Sequence, residues 1–318
     1  MNMETKISVA PLNLTVWQRF RNSHFSYSFR RDKVAISSAI ILLIFLFSAF
    51  CAPIIAPHNP YDLATIDILD SEIPPIWEDQ GNSRFLLGTD AQGRDLLSTI
   101  LYGTRISLSI GIFAVLLQCF LGVVIGLSAG YFGGRLDSFL MRAADIQLSF
   151  STLMVAIVIL ALFQALFGTE LYSKVAIYML ILVIGIAEWP QYARTIRAST
   201  LAEKHKEYIE AANVMGFSNF RIMWVHILPN TISPLLVIST VQIANAIISE
   251  ASLSFLGLGM PPSKPSLGSL IASGFEFIFS GSWWITVIPG IVLVVLVLVI
   301  NLLGDWLRDT LNPRLYKG

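Results

Sequence analysis

The sequence predicts an all-α, polytopic membrane protein with six transmembrane helices. Three observations carry that prediction. Of 318 residues, 55% are hydrophobic and only 13% charged, about half the ~25% of a soluble domain. The mean hydropathy is +0.69. The apolar residues are gathered into runs close to the ~20 needed to cross a bilayer as a helix.

The elements follow in order. Residues 1–33 are polar and carry Lys6, Arg19, Arg21, Arg30, Arg31 and Lys33. The first span covers residues 34–56. It begins too late and runs too long for a cleaved leader, whose apolar core is ~7–15 residues, so it is expected to stay as an uncleaved helix. Residues 57–104 form an acidic loop with turn signals at Pro57, Pro60, Pro74-Pro75 and Gly81. A core over residues 105–304 then holds five more spans, at about 106–130, 146–167, 175–187, 231–255 and 285–303. The fourth is short, an uncharged stretch between Lys174 and Glu188. Pro190 lacks an amide hydrogen and should end or kink that helix. Asp145 is expected at the start of the third span, where a helix N-terminus favours an anion. Arg194 and Arg197 are expected as anchors at the membrane edge. A Gly/Pro-rich segment, 257–281, precedes the sixth span, and a tail covers 305–318.

Basic residues orient the spans. Segments 1–33, 131–145, 188–230 and 305–318 share one side and hold 16 of the 21 lysines and arginines. The opposite side keeps Arg84, Arg94, Arg105, Lys174 and Lys264. Both termini and the 188–230 segment are therefore expected to be cytoplasmic. Net charge is zero and gives no argument for nucleic acid. Cys51 and Cys119 both fall in apolar runs and four scattered histidines form no metal cluster. No G-x-x-x-x-G-K-[ST] loop is present, so the chain has no ATP site of that type.

The chemistry-bearing stretch is the polar island of residues 203–229. Lys204 to Met215 is predicted as a short helix stopped by Gly216, with Lys206 and Glu210 paired four residues apart. Ala211 and Ala212 would leave a shallow surface, and Pro229 suits the first turn of a new helix. Glu210-Ala211-Ala212, three residues, Gly216, nine residues, then His226-Ile227-Leu228-Pro229 resembles the EAA loop of the membrane subunits of bacterial ABC importers. His226 departs from it, standing where that pattern has an apolar residue. In that family the helix docks on the cytoplasmic ATPase. The resemblance therefore implies an ATPase-coupling role for Glu210, Ala211, Ala212, Gly216, Leu228 and Pro229.

Leu87-Gly88-Thr89-Asp90-Ala91-Gln92-Gly93-Arg94-Asp95 resembles a stretch of the importer permeases for dipeptides, oligopeptides and nickel. So do Ser254-Phe255-Leu256-Gly257-Leu258-Gly259 and Asn301-Leu302-Leu303-Gly304-Asp305. Trp306 and Leu267 depart from that subfamily's pattern. The resemblance implies a type I ABC importer permease in the bacterial inner membrane. Its implied partners are a second homologous permease, two cytoplasmic ATPase subunits that use the ATP, and a periplasmic solute-binding protein. It implies no cofactor, metal or catalytic residue on this chain. Peptide is the expected cargo, with nickel or another small solute as the alternative. An ion-driven secondary transporter is disfavoured, since it would want buried mid-span charges and has no use for an EAA loop.

Two readings stay open at three further places. Asp90, Arg94 and Asp95 could contact the binding protein or form a structural turn. Gly122, Gly126 and Gly130 make one smooth helix face, for packing within this chain or against another subunit. Gln242, Asn245 and Glu250 could edge the substrate path, because intramembrane carboxylates are costly; alternatively Glu250 caps backbone near the headgroups.

Overall fold

The computed structural model describes residues 24–62 and 66–311, with side chains from residue 27. Lys6, Arg19, Arg21 and the tail beyond residue 311 lie outside the described residues. Twelve α-helices follow in order among the described residues. They are α1 (His24–Arg31), α2 (Lys33–Phe50), α3 (Ala52–Ile55), α4 (Leu96–Phe132), α5 (Gly134–Ser149) and α6 (Thr152–Ala187), then α7 (Trp189–Lys204), α8 (Glu207–Val214), α9 (Asn219–Arg221), α10 (Ile232–Phe255), α11 (Leu267–Phe275) and α12 (Trp284–Leu311).

Five helical rods are long and apolar enough to cross a membrane. One of them makes two passes. Gly168, inside α6, has φ 79 and ψ 161, outside helical geometry. The rod reverses there, because Thr152 Oγ1 at its start donates to Glu188 Oε1, just past its end, at 2.5 Å. A straight helix of this length would hold those residues ~50 Å apart at 1.5 Å per residue. Six passes result. Both described ends meet on one face, where Phe29 packs edge-on to Trp306 at 5.1 Å and the Ser28 and Thr310 hydroxyls lie 3.2 Å apart. We call this the terminal face and the opposite one, which carries residues 51–62 and 66–95, the loop face.

The spans run longer than the apolar runs suggest. The second begins at Leu96, ten residues before expected, because Asp95 caps it by accepting from Ser98 N at 2.9 Å. The fifth continues a rod that starts at Asn219. Pro229 sits within that rod, after a π-helical turn (Ile222–Ile227) and at a 3-10 turn (Leu228–Thr231). Widening the helix ahead of the proline accommodates its missing donor and its ring. The sixth span continues past residue 303 to Leu311, so the first turns of the expected tail are helical.

α4 is the central post. Its glycine face lies against α7, so tightly that a Cβ on Gly122 would stand 2.2 Å from Tyr192 Cβ, and one on Gly126 2.5 Å from the Ala193 carbonyl oxygen. That stripe is thus packed inside this chain. α7 begins at Pro190 in its first turn, and α5 is pinned to it. Arg197 grips Asp137 at 2.5 and 2.6 Å, and Arg194 bonds Asp145. Asp145 therefore lies inside α5 rather than at the head of a span, and both arginines face carboxylates rather than water alone.

Candidate functional site

Helix α8 carries the Glu-Ala-Ala segment on the terminal face. It starts three residues later than the propensities suggest, because Lys206 is extended (φ −81, ψ 145) and stands outside it as the N-cap. Lys206 therefore reaches back to Glu203 Oε1 at 2.5 Å and does not pair with Glu210. Gly216 ends the helix at φ +76. Its N–H donates to Asn213 O at 3.0 Å, and Phe217 N donates to Ala212 O at 3.2 Å. This closure favours glycine, which has no Cβ to clash at positive φ.

The two alanines divide. Ala212 is buried with Ile209 against Ile222, Met223 and Ile227. Ala211 and Glu210 face out beside Val214 (89% exposed) and Met215 (64% exposed). One side of α8 is thus bolted to the start of the rod that forms the fifth span, and the other is a bare, small-faced ledge. His226, in the unusual position, lies flat on Phe217 with 4° between the rings at 5.7 Å. The Arg221 guanidinium stands 4.3 Å from the same Phe217 ring. An imidazole face can fill an apolar slot in this way.

A brace not evident in the sequence holds the ledge. Tyr208 Oη donates to Glu203 Oε2 at 2.5 Å and accepts from Asn230 Nδ2 at 3.1 Å. Asn230 also donates to His226 O at 2.8 Å. Burial, then the Glu203 carboxylate, push the Tyr208 phenol up to about 12. Burial alone would raise Glu203, but hydrogen bonds from Lys206 and Tyr208, with the Lys206 charge, hold its carboxyl below the ordinary range. Leu228 is half-buried and Pro229 exposed. A tyrosine inside a charged island carries no distinguishing local signal.

In the membrane, Asn245 Nδ2 donates to Gln242 Oε1 at 2.9 Å. Asn245 is exposed on α10, in a stripe with Val241, Ile248 and Phe255. Gln242 is buried and borders a cleft of about 310 Å³ with Gln191, Asp305 and Arg308. Glu250 does not join them. It lies five residues beyond Asn245, ~140° around the helix, fully buried and facing inward. It is not on the exposed stripe; its partners are Ser107 at 2.9 Å and Ser254 at 2.7 Å.

On the loop face, Asp90, Arg94 and Asp95 are buried. Asp90 accepts from Gln92 N at 2.9 Å and Arg94 N at 3.0 Å, and pairs with the Arg94 guanidinium at 2.6 and 2.7 Å. Arg94 also donates to Pro262 O at 2.8 Å. Asp95 caps α4 instead of pairing with Arg94. Trp284 Nε1 donates to Thr89 O at 3.1 Å. Tyr172 Oη donates to Leu258 O at 2.6 Å. The acidic loop and the Gly/Pro-rich segment are thereby stitched into one cap. These long-range partners were beyond local sequence reading. Among the described residues, no group of three or more His, Cys, Asp or Glu is placed to hold a metal ion.

Six apolar passes around a packed post, with an anchored ledge on one face and a stitched cap on the other, define a polytopic transport permease. Residues 122–317 match the family described as binding-protein-dependent transport system inner membrane component. Residues 15–75 match the N-terminal TM domain of oligopeptide transport permease C. The chain belongs to this binding-protein-dependent transport family. It is 38% identical to the dipeptide transport system permease protein DppC of Haemophilus influenzae, over 92% of this chain and 94% of that one. It is also 38% identical to the di/tripeptide transport system permease protein DppC of Pseudomonas aeruginosa, over 92% and 91%. A putative peptide transport system permease protein of Brucella suis is 40% identical, over 87% and 86%. Among solved structures, the MetNI methionine ABC transporter aligns at TM-score 0.49 and 20% identity, covering 67% of this chain and 96% of that one.

Proposed function

We propose that this chain is a peptide-translocating permease subunit of an ABC importer, with the loop face in the periplasm and both termini in the cytoplasm. The observation that carries the reading is the α8 ledge: anchored through Ile209 and Ala212, bare at Glu210, Ala211, Val214 and Met215. An exposed apolar edge beside a polar rim suits a protein partner. That partner is one of two cytoplasmic ATPase subunits, which hydrolyse the ATP. Force on the ledge passes directly into the fifth span, because α8 packs on the π turn at its start and Tyr208 braces Asn230.

The path runs along the exposed stripe of α10, where Asn245, held by the buried Gln242, offers an amide in an otherwise apolar wall. Exposing such groups to lipid is costly, and a homologous permease packed on this face would enclose them. A periplasmic solute-binding protein delivers cargo to the cap. Because Asp90, Arg94 and Asp95 are buried, they shape that docking surface from behind. Peptide is the favoured cargo, supported by the names of the relatives; nickel is the second reading.

The test is co-purification and uptake. Gly216→Arg and Glu210→Lys are expected to abolish ATPase association and dipeptide uptake while the permease still reaches the membrane. Normal association in both variants refutes the coupling role. Uptake of labelled nickel but not of labelled dipeptide by the intact complex refutes the peptide reading alone.

A further inference from the structure

We propose that Glu250 is a positioning residue that holds α11 so that Phe275 meets Phe255, closing the loop-face end of the path. The gate rests on the α10 path reading above; the positioning rests on the following geometry.

Glu250 gathers three elements onto one carboxylate. Its Oε2 accepts from Ser107 Oγ of α4 at 2.9 Å, and its Oε1 from Ser254 Oγ of α10 at 2.7 Å. Both hydroxyls pass the contact onward to the start of α11. Ser107 Oγ accepts from Leu267 N at 3.3 Å. Ser254 Oγ lies 3.3 Å from Ser266 Oγ, the N-cap of α11, and accepts from Met260 N at 3.1 Å. Glu250, Ser107, Ser254 and Ser266 are all buried. Both carboxyl oxygens act as acceptors here, so both hydroxyls are oriented as donors and their lone pairs are left free for the amides.

The seat has no slack. A Cβ on Gly103 would stand 3.3 Å from Leu267 N, and one on Gly268 2.3 Å from Ala251 Cα. At its far end α11 packs on α12, where a Cβ on Gly274 would meet Thr286 Oγ1 at 2.6 Å. Glu250 therefore ties the α11–α12 pair to the α4–α10 pair. Between α10, α11 and α12 on the exposed side lies a groove of about 390 Å³, lined by Ile248, Ala251, Ser252, Phe255 and Leu293. Phe255 and Phe275 meet edge-on at 5.5 Å beside it. α11 is a rod ~13 Å long at 1.5 Å per residue, so a 10° tilt about its anchored start moves Phe275 by about 2 Å. That is enough to part the rings.

The experiment uses the assembled transporter without ATP, in a background free of Cys51 and Cys119. Two reporters are read: crosslinking of a Phe255→Cys, Phe275→Cys pair by a short bismaleimide, and labelling of Ser252→Cys by a membrane-impermeant maleimide from the loop face. Glu250→Ala is expected to slow the crosslink and speed the labelling, each by about tenfold, the ratio that one lost buried hydrogen bond sets. Glu250→Gln, which keeps the volume and one acceptor, is expected to stay within about twofold. A reporter at Asp79→Cys in the loop should not change. If Glu250→Ala fails to assemble, Ser107→Ala with Ser266→Ala cuts the same two links and carries the same expectation. An unchanged crosslink in an assembled variant overturns the proposal. A slowed crosslink with Ser252→Cys never labelled upholds the positioning and refutes the path reading instead.

Discussion

Gly126→Ala is the sharpest probe of how the ledge is tied to the membrane. The added Cβ would lie 2.5 Å from Ala193 O and 2.9 Å from Ile196 Cβ. Ordinary contact needs about 3.4 Å, so α4 and α7 must part by ~0.5–1 Å; overpacking of this kind costs ~1–3 kcal/mol. Alanine in a helix returns ~0.5–1 kcal/mol relative to glycine, leaving a net loss of ~1–2 kcal/mol. A Cβ on Gly290, in α12, would meet nothing within 4 Å. Gly290→Ala should therefore keep the propensity gain alone and stabilise by up to ~1 kcal/mol. The assay is a denaturant titration of the purified permease in mild detergent, comparing the two variants with the parent. The expected result is opposite shifts in the midpoint. Equal shifts, or a more stable Gly126→Ala, would refute the close helix approach on which the placement of α7 and α8 depends.

Other outcomes follow from the same geometry. Arg94→Ala leaves Asp90 buried and unpaired, a loss of ~3–5 kcal/mol, read as faster protease nicking within residues 57–95. Tyr208→Phe removes a hydroxyl shared by Glu203 and Asn230, costing about 1 kcal/mol; uptake should fall with ATPase association intact, and full uptake would count against the brace. The Arg197 hydrogen bonds hold the Asp137 carboxyl below its ordinary range against the opposing effect of burial, with the Arg197 charge adding to them. A depressed carboxylate stabilises above its unfolded pKa and loses that contribution as pH falls through the folded value. The stability gap between parent and Asp137→Asn should persist at neutral pH and shrink below the carboxylate range. Both groups are partly solvated, so its size is on the order of 1 kcal/mol or less.

The membrane passes were legible because lipid demands long uncharged runs, and so was the glycine face of Gly122, Gly126 and Gly130, since a bare stripe has to meet something. Gly216 announced a helix end that the backbone makes at φ +76. Elsewhere, local reading stopped short. Nothing around Leu96 marks a membrane helix; its start is fixed by the Asp95 cap. Lys206 looked like a helix-face partner for Glu210 only while it was counted inside the helix. Glu250 resisted interpretation because its partner Ser107 lies 143 residues away in the chain. The ledge was visible as a motif, whereas the Tyr208 brace beneath it depends on two side chains brought together by the turn at Gly216.

The packing of Phe29 and Ser28 against Trp306 and Thr310 has a bearing on biogenesis. The earliest described helix to leave the ribosome packs on one of the last described turns, translated far later. A polypeptide truncated before Trp306 would thread its remaining passes yet leave that amino-terminal helix with no berth. A bundle that reaches Trp306 is thus distinguishable from such a shorter product by this contact on the terminal face.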